Sequence, residues 1–327
     1  MIKRVFFLGL VVIIISGCND RSAPAYSTQS VGEVQNQIRL LEGRSAGLAI
    51  ATDNFESYFE ELSTVDVNLQ MGIPDSMIID KNEYTQWLSE LPQPWPADLA
   101  ERAQRLLKHA LRECEAIFPN LAPDTIDLIL TDDLPYGASV YFTRGQSVVC
   151  PRSHLKNASD GDLMHVFRHE LFHLISRENA ASRRQMYELI GFKPVVDSLI
   201  WPGNLYERRL LNPDAPKPDY FLDLDGVQYV PIVYASQAPY DAGDPDYFAQ
   251  QLRFQYFQLV NSKLRPPTLS VAEVREATGD LTNYIIHPEE IIADQFALLL
   301  EQGNTKSDAA LSALYEYLLG LNRASIN

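Results

Sequence analysis

The five residues His169-Glu170-Leu171-Phe172-His173 constrain this chain of 327 residues more than any other feature of its sequence. They form an HExxH pattern inside residues 161–177, a segment whose apolar spacing predicts a long helix. Residues four apart share one face of a helix, so both imidazoles can bind the same metal ion. Glu170 would lie beside that ion, where a carboxylate can take a proton from metal-bound water. The pattern therefore predicts His169 and His173 as metal ligands and Glu170 as a general base.

A catalytic metal site also needs a third protein ligand and an open position for water. The extended motif HExxHxxGxxH would require glycine in place of Ser176 and histidine in place of Asn179. No methionine follows Met186, so the sequence also lacks a later Met-turn. These differences exclude the metzincin type of site, and the third ligand must come from another part of the chain.

Residues 287–301 form a second predicted helix, which carries Glu290 and Asp294 four positions apart. Acidic residues in a first helical turn can simply favour the helix dipole, but that does not account for the matched aspartate. Together with HExxH, this ExxxD spacing resembles the glutamate-zincin, or thermolysin-like, pattern. The resemblance implies that Glu290 is the third zinc ligand and that Asp294 orients His169. Glu289 is the rival for the ligand position.

Residues 168–192 and 287–298 more closely resemble a group of uncharacterised bacterial lipoproteins that are predicted zinc metallopeptidases. This resemblance implies a zincin-like α+β fold, Zn²⁺ as the cofactor, and a peptide or protein as the substrate. The long separation of His173 from Glu290 departs from the thermolysin pattern, and recognisable specificity-pocket motifs are lacking. The cleavage specificity therefore stays open.

Three further residues lie close enough in sequence to reach this site. His165 is one helical turn before His169, and its position favours the rim of the helix over a ligand role. His287 and Tyr284 precede Glu290 by three and six positions. Either could donate a hydrogen bond to an oxyanion during hydrolysis.

The N-terminus has the features of an export signal. Residues 3–15 combine two basic residues with an apolar run that is too short for a transmembrane helix. The run ends in Ile15-Ser16-Gly17-Cys18, which resembles the bacterial lipoprotein signal box. We therefore predict a signal peptide over residues 1–17, lipidation of Cys18 and a flexible tether over residues 18–32. An ordinary secretory signal with a chance cysteine is the alternative.

This signal predicts a protein of the cell envelope, attached to the membrane through the lipid on Cys18. The position of Asp20 favours the periplasmic face of the outer membrane. The formal charge of −16 argues against nucleic acid or an anionic lipid surface as the main partner, because both would repel the chain. An exported chain could also form a disulfide bond between Cys114 and Cys150.

The remaining patterns predict an α+β fold in two parts. Residues 33–95 are expected to form a helical N-terminal extension, and residues 96–327 a zincin-like domain with an insertion at 201–246. Apolar spacing predicts strands, hairpins and helices over defined segments. The predicted helices cover residues 34–51, 55–62, 96–117, 161–177, 247–264, 287–301 and 307–321, and the predicted strand and hairpins cover 125–131, 139–150 and 220–234.

Two of these segments have predicted roles at the site. The 139–150 hairpin could supply an edge strand that holds an extended peptide. The 201–246 insertion could pack over the cleft and restrict access.

The sequence therefore predicts a zinc-dependent hydrolase of amide bonds, most directly a peptidase. A cell-wall amide hydrolase would use the same zinc and glutamate, so the sequence does not separate these substrates. A lipoprotein with a closed, non-catalytic zinc site is the other alternative. Glu170 argues against it, because a structural metal site does not need a base.

Overall fold

A computed structural model describes residues 37–74, 76–178, 180–237, 247–302 and 308–324. The predicted signal peptide, the lipidation site Cys18 and the tether at 18–32 lie outside the described residues. Among those that are described, no helix has both the length and the apolar character needed to cross a membrane.

The chain has an α+β fold in which helices pack around two sheets. The strands are β1 (Gln37–Leu41), β2 (Pro92–Gln93), β3 (Thr125–Thr131), β4 (Phe142–Arg144), β5 (Ser147–Pro151), β6 (Phe192–Pro194), β7 (Tyr220–Leu224), β8 (Val227–Ala235), β9 (Leu252–Val260) and β10 (Lys263–Arg265). The helices are α1 (Gly43–Thr52), α2 (Tyr58–Glu61), α3 (Thr64–Met71), α4 (Lys81–Glu90), α5 (Ala97–Ile117), α6 (Arg152–Asn157), α7 (Asp160–Arg177), α8 (Ala180–Leu189), α9 (Tyr247–Gln251), α10 (Val271–Ala277), α11 (Pro288–Gln302) and α12 (Ala309–Ala324).

The first sheet is mixed and has the strand order β1-β3-β5-β4, with β2 paired to β3. Strands β1, β3 and β5 are parallel, whereas β4 returns antiparallel to β5. The predicted hairpin in this region is confirmed, since Arg144 pairs with Ser147 across a turn in which Gly145 has a φ of +55°. Strand β4 is consequently an edge of this sheet.

The second sheet is antiparallel, in the order β10-β9-β8-β7-β6. The predicted hairpin at 220–234 is confirmed, because Leu224 pairs with Val227 across the Asp225-Gly226 turn, where both φ angles are positive. The helix predicted over residues 247–264 is wrong beyond the short helix α9. Polar and apolar residues alternate over residues 252–256, and β9 pairs with β8 from Leu252 to Leu259. This long-range pairing stabilises a strand where aromatic spacing suggested a helix.

The N-terminal segment also differs from its prediction. Residues 37–41 form a strand and not the start of a helix, and β1 lies parallel to β3 in the first sheet. Its Ile38 and Leu40 pack together against the main core, as alternate residues of a strand do. Arg39, on the other face, donates to both carboxylate oxygens of Asp127 at 2.7 and 2.8 Å. Residues 33–95 therefore do not form a purely helical extension, since this strand and β2 belong to the main sheet.

Helices α7 and α11 pack against each other and carry the predicted site. The aromatic rings of Phe172 and Phe296 lie 5.5 Å apart between them, and Phe118 at the end of α5 adjoins Phe296 at 6.4 Å. Arg168 on α7 donates to both oxygens of Glu113 on α5, at 2.8 and 2.9 Å. These contacts on the core side fix the position of α7 relative to α11. The faces that carry the predicted site are therefore also held in place relative to each other.

The two cysteines lie in the same hydrophobic core as these aromatic rings. Cys114 and Cys150 are fully buried, and both are free thiols in the structure. The disulfide bond that an exported chain would permit is therefore not formed.

Candidate metal centre

Helices α7 and α11 bring two imidazoles and one carboxylate together. Atom Nε2 of His169 lies 3.0 Å from Oε2 of Glu290, and Nε2 of His173 lies 3.6 Å from the same oxygen. The two imidazole rings are 4.7 Å apart between centroids and nearly perpendicular, at 82°. All three side chains are buried. The three ligands expected from the sequence therefore converge on one point.

Asp294 holds the far side of His169. Its Oδ1 lies 2.8 Å from Nδ1 of His169 and 3.2 Å from Nε2 of His165, and its Oδ2 accepts a hydrogen bond from the hydroxyl of Thr282. A carboxylate on Nδ1 fixes the proton there and leaves Nε2 as the atom that can bind a metal. His165 therefore contacts the carboxylate that orients His169 and lies at the rim, as its sequence position indicated.

Glu289 occupies the corresponding place behind His173. Its Oε1 lies 2.9 Å from Nδ1 of His173 and accepts from the hydroxyl of Ser176, while its Oε2 accepts from Tyr187 at 2.5 Å. Neighbouring residues of a helix project about 100° apart, so Glu289 and Glu290 reach opposite sides of the same imidazole. Glu289, the rival for the ligand position, therefore contacts Nδ1 of His173. This nitrogen points away from the place where His169, His173 and Glu290 meet.

The chemistry of this donor set fits a cation. When Nδ1 of each imidazole carries the proton and donates it in a hydrogen bond to its carboxylate partner, each Nε2 has a free lone pair. Both lone pairs then face an oxygen of Glu290 that also carries lone pairs. Such an arrangement is stable only when a proton or a metal ion lies between these atoms. The ligand atoms of His169, Glu170 and His173 lie within 4.8 Å of one another, as do those of His173, Asp214 and Glu290. These buried groups could hold a metal ion.

The pKa values of His169, His173 and Glu290 also show that positive charge is stabilised at this centre. Burial opposes the charged imidazolium of His169, but hydrogen bonds to Asp294 and Glu290 outweigh it and raise its pKa to about 10. Burial likewise opposes charge on His173, whose pKa is raised well above its ordinary value by the charges of Asp214 and Glu290. The pKa of Glu290 lies well below its usual range, because the two imidazoles overcome the effect of burial.

Glu170 lies beside the predicted ligands and is bonded differently from the other carboxylates. It is 4% exposed, yet its Oε2 has no hydrogen-bond partner among the described residues. Burial raises its pKa to about 8, with the nearby charge of Asp214 adding to the shift and the imidazoles of His169 and His173 opposing it. A buried carboxylate with a free oxygen near neutral pKa can accept and return a proton.

Asn212 and Asp214 complete the site, and the sequence analysis missed both. They lie in the 201–246 segment, in a stretch rich in proline where no periodic pattern marks individual positions. Nδ2 of Asn212 donates to Oε1 of Glu290 at 2.5 Å, and the carboxylate of Asp214 belongs to the cluster with His173 and Glu290. This part of the segment therefore packs onto the site.

Tyr284 and His287 stand in different relations to the centre. The ring of Tyr284 lies 5.8 Å from that of His169 at an angle of 31°, and its pKa is raised by burial and by the charges of Glu290 and Asp214 among others. His287 instead accepts from the backbone N–H of Glu289 through Nδ1 at 3.1 Å, at the start of α11. Tyr284 therefore packs against a predicted metal ligand, whereas His287 is bonded to the start of α11.

A cavity lies away from this centre. It measures about 730 Å³ and is bordered by β6, β7 and the end of β9, and none of the residues of the candidate metal centre lines it. The chemistry of the buried centre, and not the size of a cavity, therefore defines the candidate site. No known family model, curated protein or solved structure matches the chain.

Proposed function

We propose that this chain is a zinc-dependent hydrolase of amide bonds, most directly a peptidase, with Glu170 as its general base. The observation that carries the proposal is the unpartnered Oε2 of Glu170, buried beside two imidazoles that are fixed for metal binding. A buried carboxylate oxygen without a partner costs free energy, and a purely structural metal site gains nothing from it. A proton-transfer group requires such an oxygen.

Zinc is the metal that this donor set favours. Two imidazole nitrogens and one carboxylate oxygen are typical of catalytic zinc sites, which keep one further position open. Their supply by an HExxH helix and a second acidic helix is consistent with a zincin-like site of the glutamate type. Zinc bound there would polarise a carbonyl group and lower the pKa of its water towards about 7.

The chain's own residues would then handle the proton and the oxyanion. Glu170 takes the proton as water attacks the carbonyl carbon, and it returns that proton to the leaving amine. Tyr284 can donate a hydrogen bond from its hydroxyl to the developing oxyanion. Asp294 and Glu289 keep the two Nδ1 atoms protonated, so that both Nε2 atoms remain available for the metal.

The substrate class follows from the proposed location. The signal at the N-terminus supports lipid attachment through Cys18 in the cell envelope, on the periplasmic side of the outer membrane. Peptides, proteins and the amide bonds of the cell wall are the amides available there. Peptidase activity is the first choice because of the resemblance of the HExxH and ExxxD segments to zinc metallopeptidases. The hydrolysis of cell-wall amides would need no different residue at the metal and is therefore the alternative.

A closed, non-catalytic zinc site is the second candidate, and one observation favours it. The carboxylate of Asp214 lies with those of the ligand cluster, where it could fill the open position. In that case Glu170 would have no proton to transfer.

The test compares the purified protein with Glu170→Gln and with Glu178→Gln, an exposed glutamate at the end of the same helix. We expect one zinc per chain in all three proteins. Cleavage of a broad peptide library, or of cell-wall fragments, should be lost by roughly 10²–10⁴-fold in Glu170→Gln alone. Folded protein that binds no zinc would refute the proposal, as would cleavage that is indifferent to Glu170→Gln.

A further inference from the structure

A tight turn, Asn212 to Ala215, lies directly on the metal centre. The backbone N–H of Ala215 donates to the carbonyl of Asn212 at 3.2 Å, and the N–H of Asp214 donates to Oδ1 of Asn212 at 3.0 Å. Asn212 uses its remaining side-chain group, Nδ2, to hold Glu290. The turn is therefore organised by one asparagine that also touches a ligand.

We propose that Asp214 is an additional metal ligand in the resting protein and that the turn Asn212 to Ala215 keeps the chain latent. This inference rests on the proposed function, because latency has meaning only for a hydrolase. An oxygen of Asp214 lies within 4.8 Å of the ligand atoms of both His173 and Glu290. The hydrogen bonds described for the Asp214 side chain all reach Oδ1, from Thr143 and Arg177, and Oδ2 is not needed to anchor it.

The same contacts occupy the edge of the first sheet. Thr143 is the middle residue of β4, and its N–H donates to Asp214 at 2.9 Å. Its carbonyl accepts from Nη2 of Arg177 at 3.0 Å and from Arg144 at 3.2 Å. An extended peptide would use this N–H and carbonyl if it bound along the edge strand. The turn thus covers the fourth position at the metal and the N–H of Thr143 at once, while the side chains of Arg177 and Arg144 occupy the carbonyl of Thr143.

The turn is fixed at its base by the rest of the protein. The N–H of Leu210 donates to the carbonyl of Val233 on β8 at 3.0 Å, and the N–H of Leu211 donates to the buried carboxylate of Asp66 at 2.8 Å. Nη2 of Arg177 also donates to the carbonyl of Pro213 at 3.3 Å. Because these contacts hold the backbone before the turn and within it, substrate must displace an ordered segment before hydrolysis can begin.

The experiment measures metal coordination separately from cleavage. The variants are Asp214→Ala, Asp214→Asn, which can still accept from Thr143, and the control Asp225→Asn at the exposed tip of the β7–β8 hairpin. Each protein is loaded with Co²⁺ for its visible absorption spectrum, and its zinc affinity is measured by chelator competition. Circular dichroism verifies folding, and peptide cleavage is measured last.

We expect both Asp214 variants to change the cobalt spectrum and to weaken zinc binding by at least about 10-fold, the lower end of the cost of losing even an outer-shell partner. Cleavage should increase at saturating zinc, since water can then bind where Asp214 was. The control should match the wild type in all three measurements.

The outcomes separate the two proposals. An unchanged cobalt spectrum and zinc affinity in folded Asp214→Asn would overturn the ligand assignment, even if the wild type cleaves peptides. A changed spectrum with cleavage equal to or below that of the wild type would overturn latency. A changed spectrum with no cleavage by any protein, on peptides or cell-wall fragments, would retain Asp214 as a ligand and refute the hydrolase itself.

Discussion

The substitution Glu289→Gln measures what the carboxylate behind His173 contributes to metal binding. Glu289 is fully buried and accepts hydrogen bonds from His173, Ser176 and Tyr187. A glutamine can keep the bonds from His173 and Ser176 through its carbonyl oxygen, and Tyr187 can turn its hydroxyl to accept from the amide. The change therefore removes mainly the negative charge of Glu289. That charge makes the imidazole of His173 a stronger metal ligand.

Loss of such a partner costs roughly 10–100-fold in metal affinity, which corresponds to ~1.4–2.7 kcal/mol. Glu289 is directly bonded to the proposed ligand His173 and shielded from water, so we expect Glu289→Gln to lower the zinc affinity by about 30–100-fold. Glu290→Gln should weaken binding further, because it removes a proposed ligand, and Glu178→Gln provides the surface control. The assay is chelator competition for zinc at neutral pH, with circular dichroism to verify folding.

Two results would refute this reasoning. Equal losses in Glu289→Gln and Glu290→Gln would mean that both glutamates contact the metal, contrary to their positions on opposite sides of His173. An unchanged affinity in Glu289→Gln would mean that its hydrogen bonds contribute to packing alone.

Three further predictions concern stability. Removal of zinc by a chelator should lower the thermal midpoint, since zinc at 1,000 times its dissociation constant stabilises the fold by about 4.1 kcal/mol, and calorimetry with and without chelator measures this. Burial raises the pKa of Asp66 from 3.8 to about 6, so its ionisation destabilises the fold as pH rises through that window. The free energy of unfolding of Asp66→Asn, measured with urea, should therefore rise by up to ~3 kcal/mol relative to that of the wild type between pH 4 and pH 7. A difference between the two proteins that stays constant over this pH range would contradict this. Phe296→Ala should cost roughly 3–5 kcal/mol in the same assay, because Phe296 is fully buried between Phe118 and Phe172, and a loss below ~1 kcal/mol would contradict its place in the core.

The spacing of apolar residues correctly predicted the helices whose burial follows from that spacing. The stripe from Leu99 to Cys114 is buried along α5, and α7 begins at Asp160, one residue from its predicted start. Strand β1 and strand β9 were missed for a shared reason. Each is stabilised by pairing with residues distant in the sequence or across a hairpin, and short apolar runs fit a helix and a strand equally well until that pairing is known.

The same distinction applies to the candidate site. His169 and His173 could be predicted because four-residue spacing on one helix is a local property, and Glu290 with Asp294 repeats it on a second helix. Asp214 could not be predicted, since it comes from a turn without periodicity that contacts β4 only in the folded chain. The position of Glu289 depended on which side of α11 faces His173, and that is decided by packing between helices.

The hydrogen bonds of the buried carboxylates separate two kinds of group in this centre. Asp294, Glu289 and Glu290 use both of their oxygens, which suits residues that hold or bind imidazoles in fixed positions. Glu170 alone among these four keeps a buried oxygen without a partner within the described part of the chain. A group whose oxygen gains no structural bond is destabilising by about 1–3 kcal/mol, and such costs persist mainly at functional sites. The carboxylate that stabilises the fold least is therefore the one best suited to react.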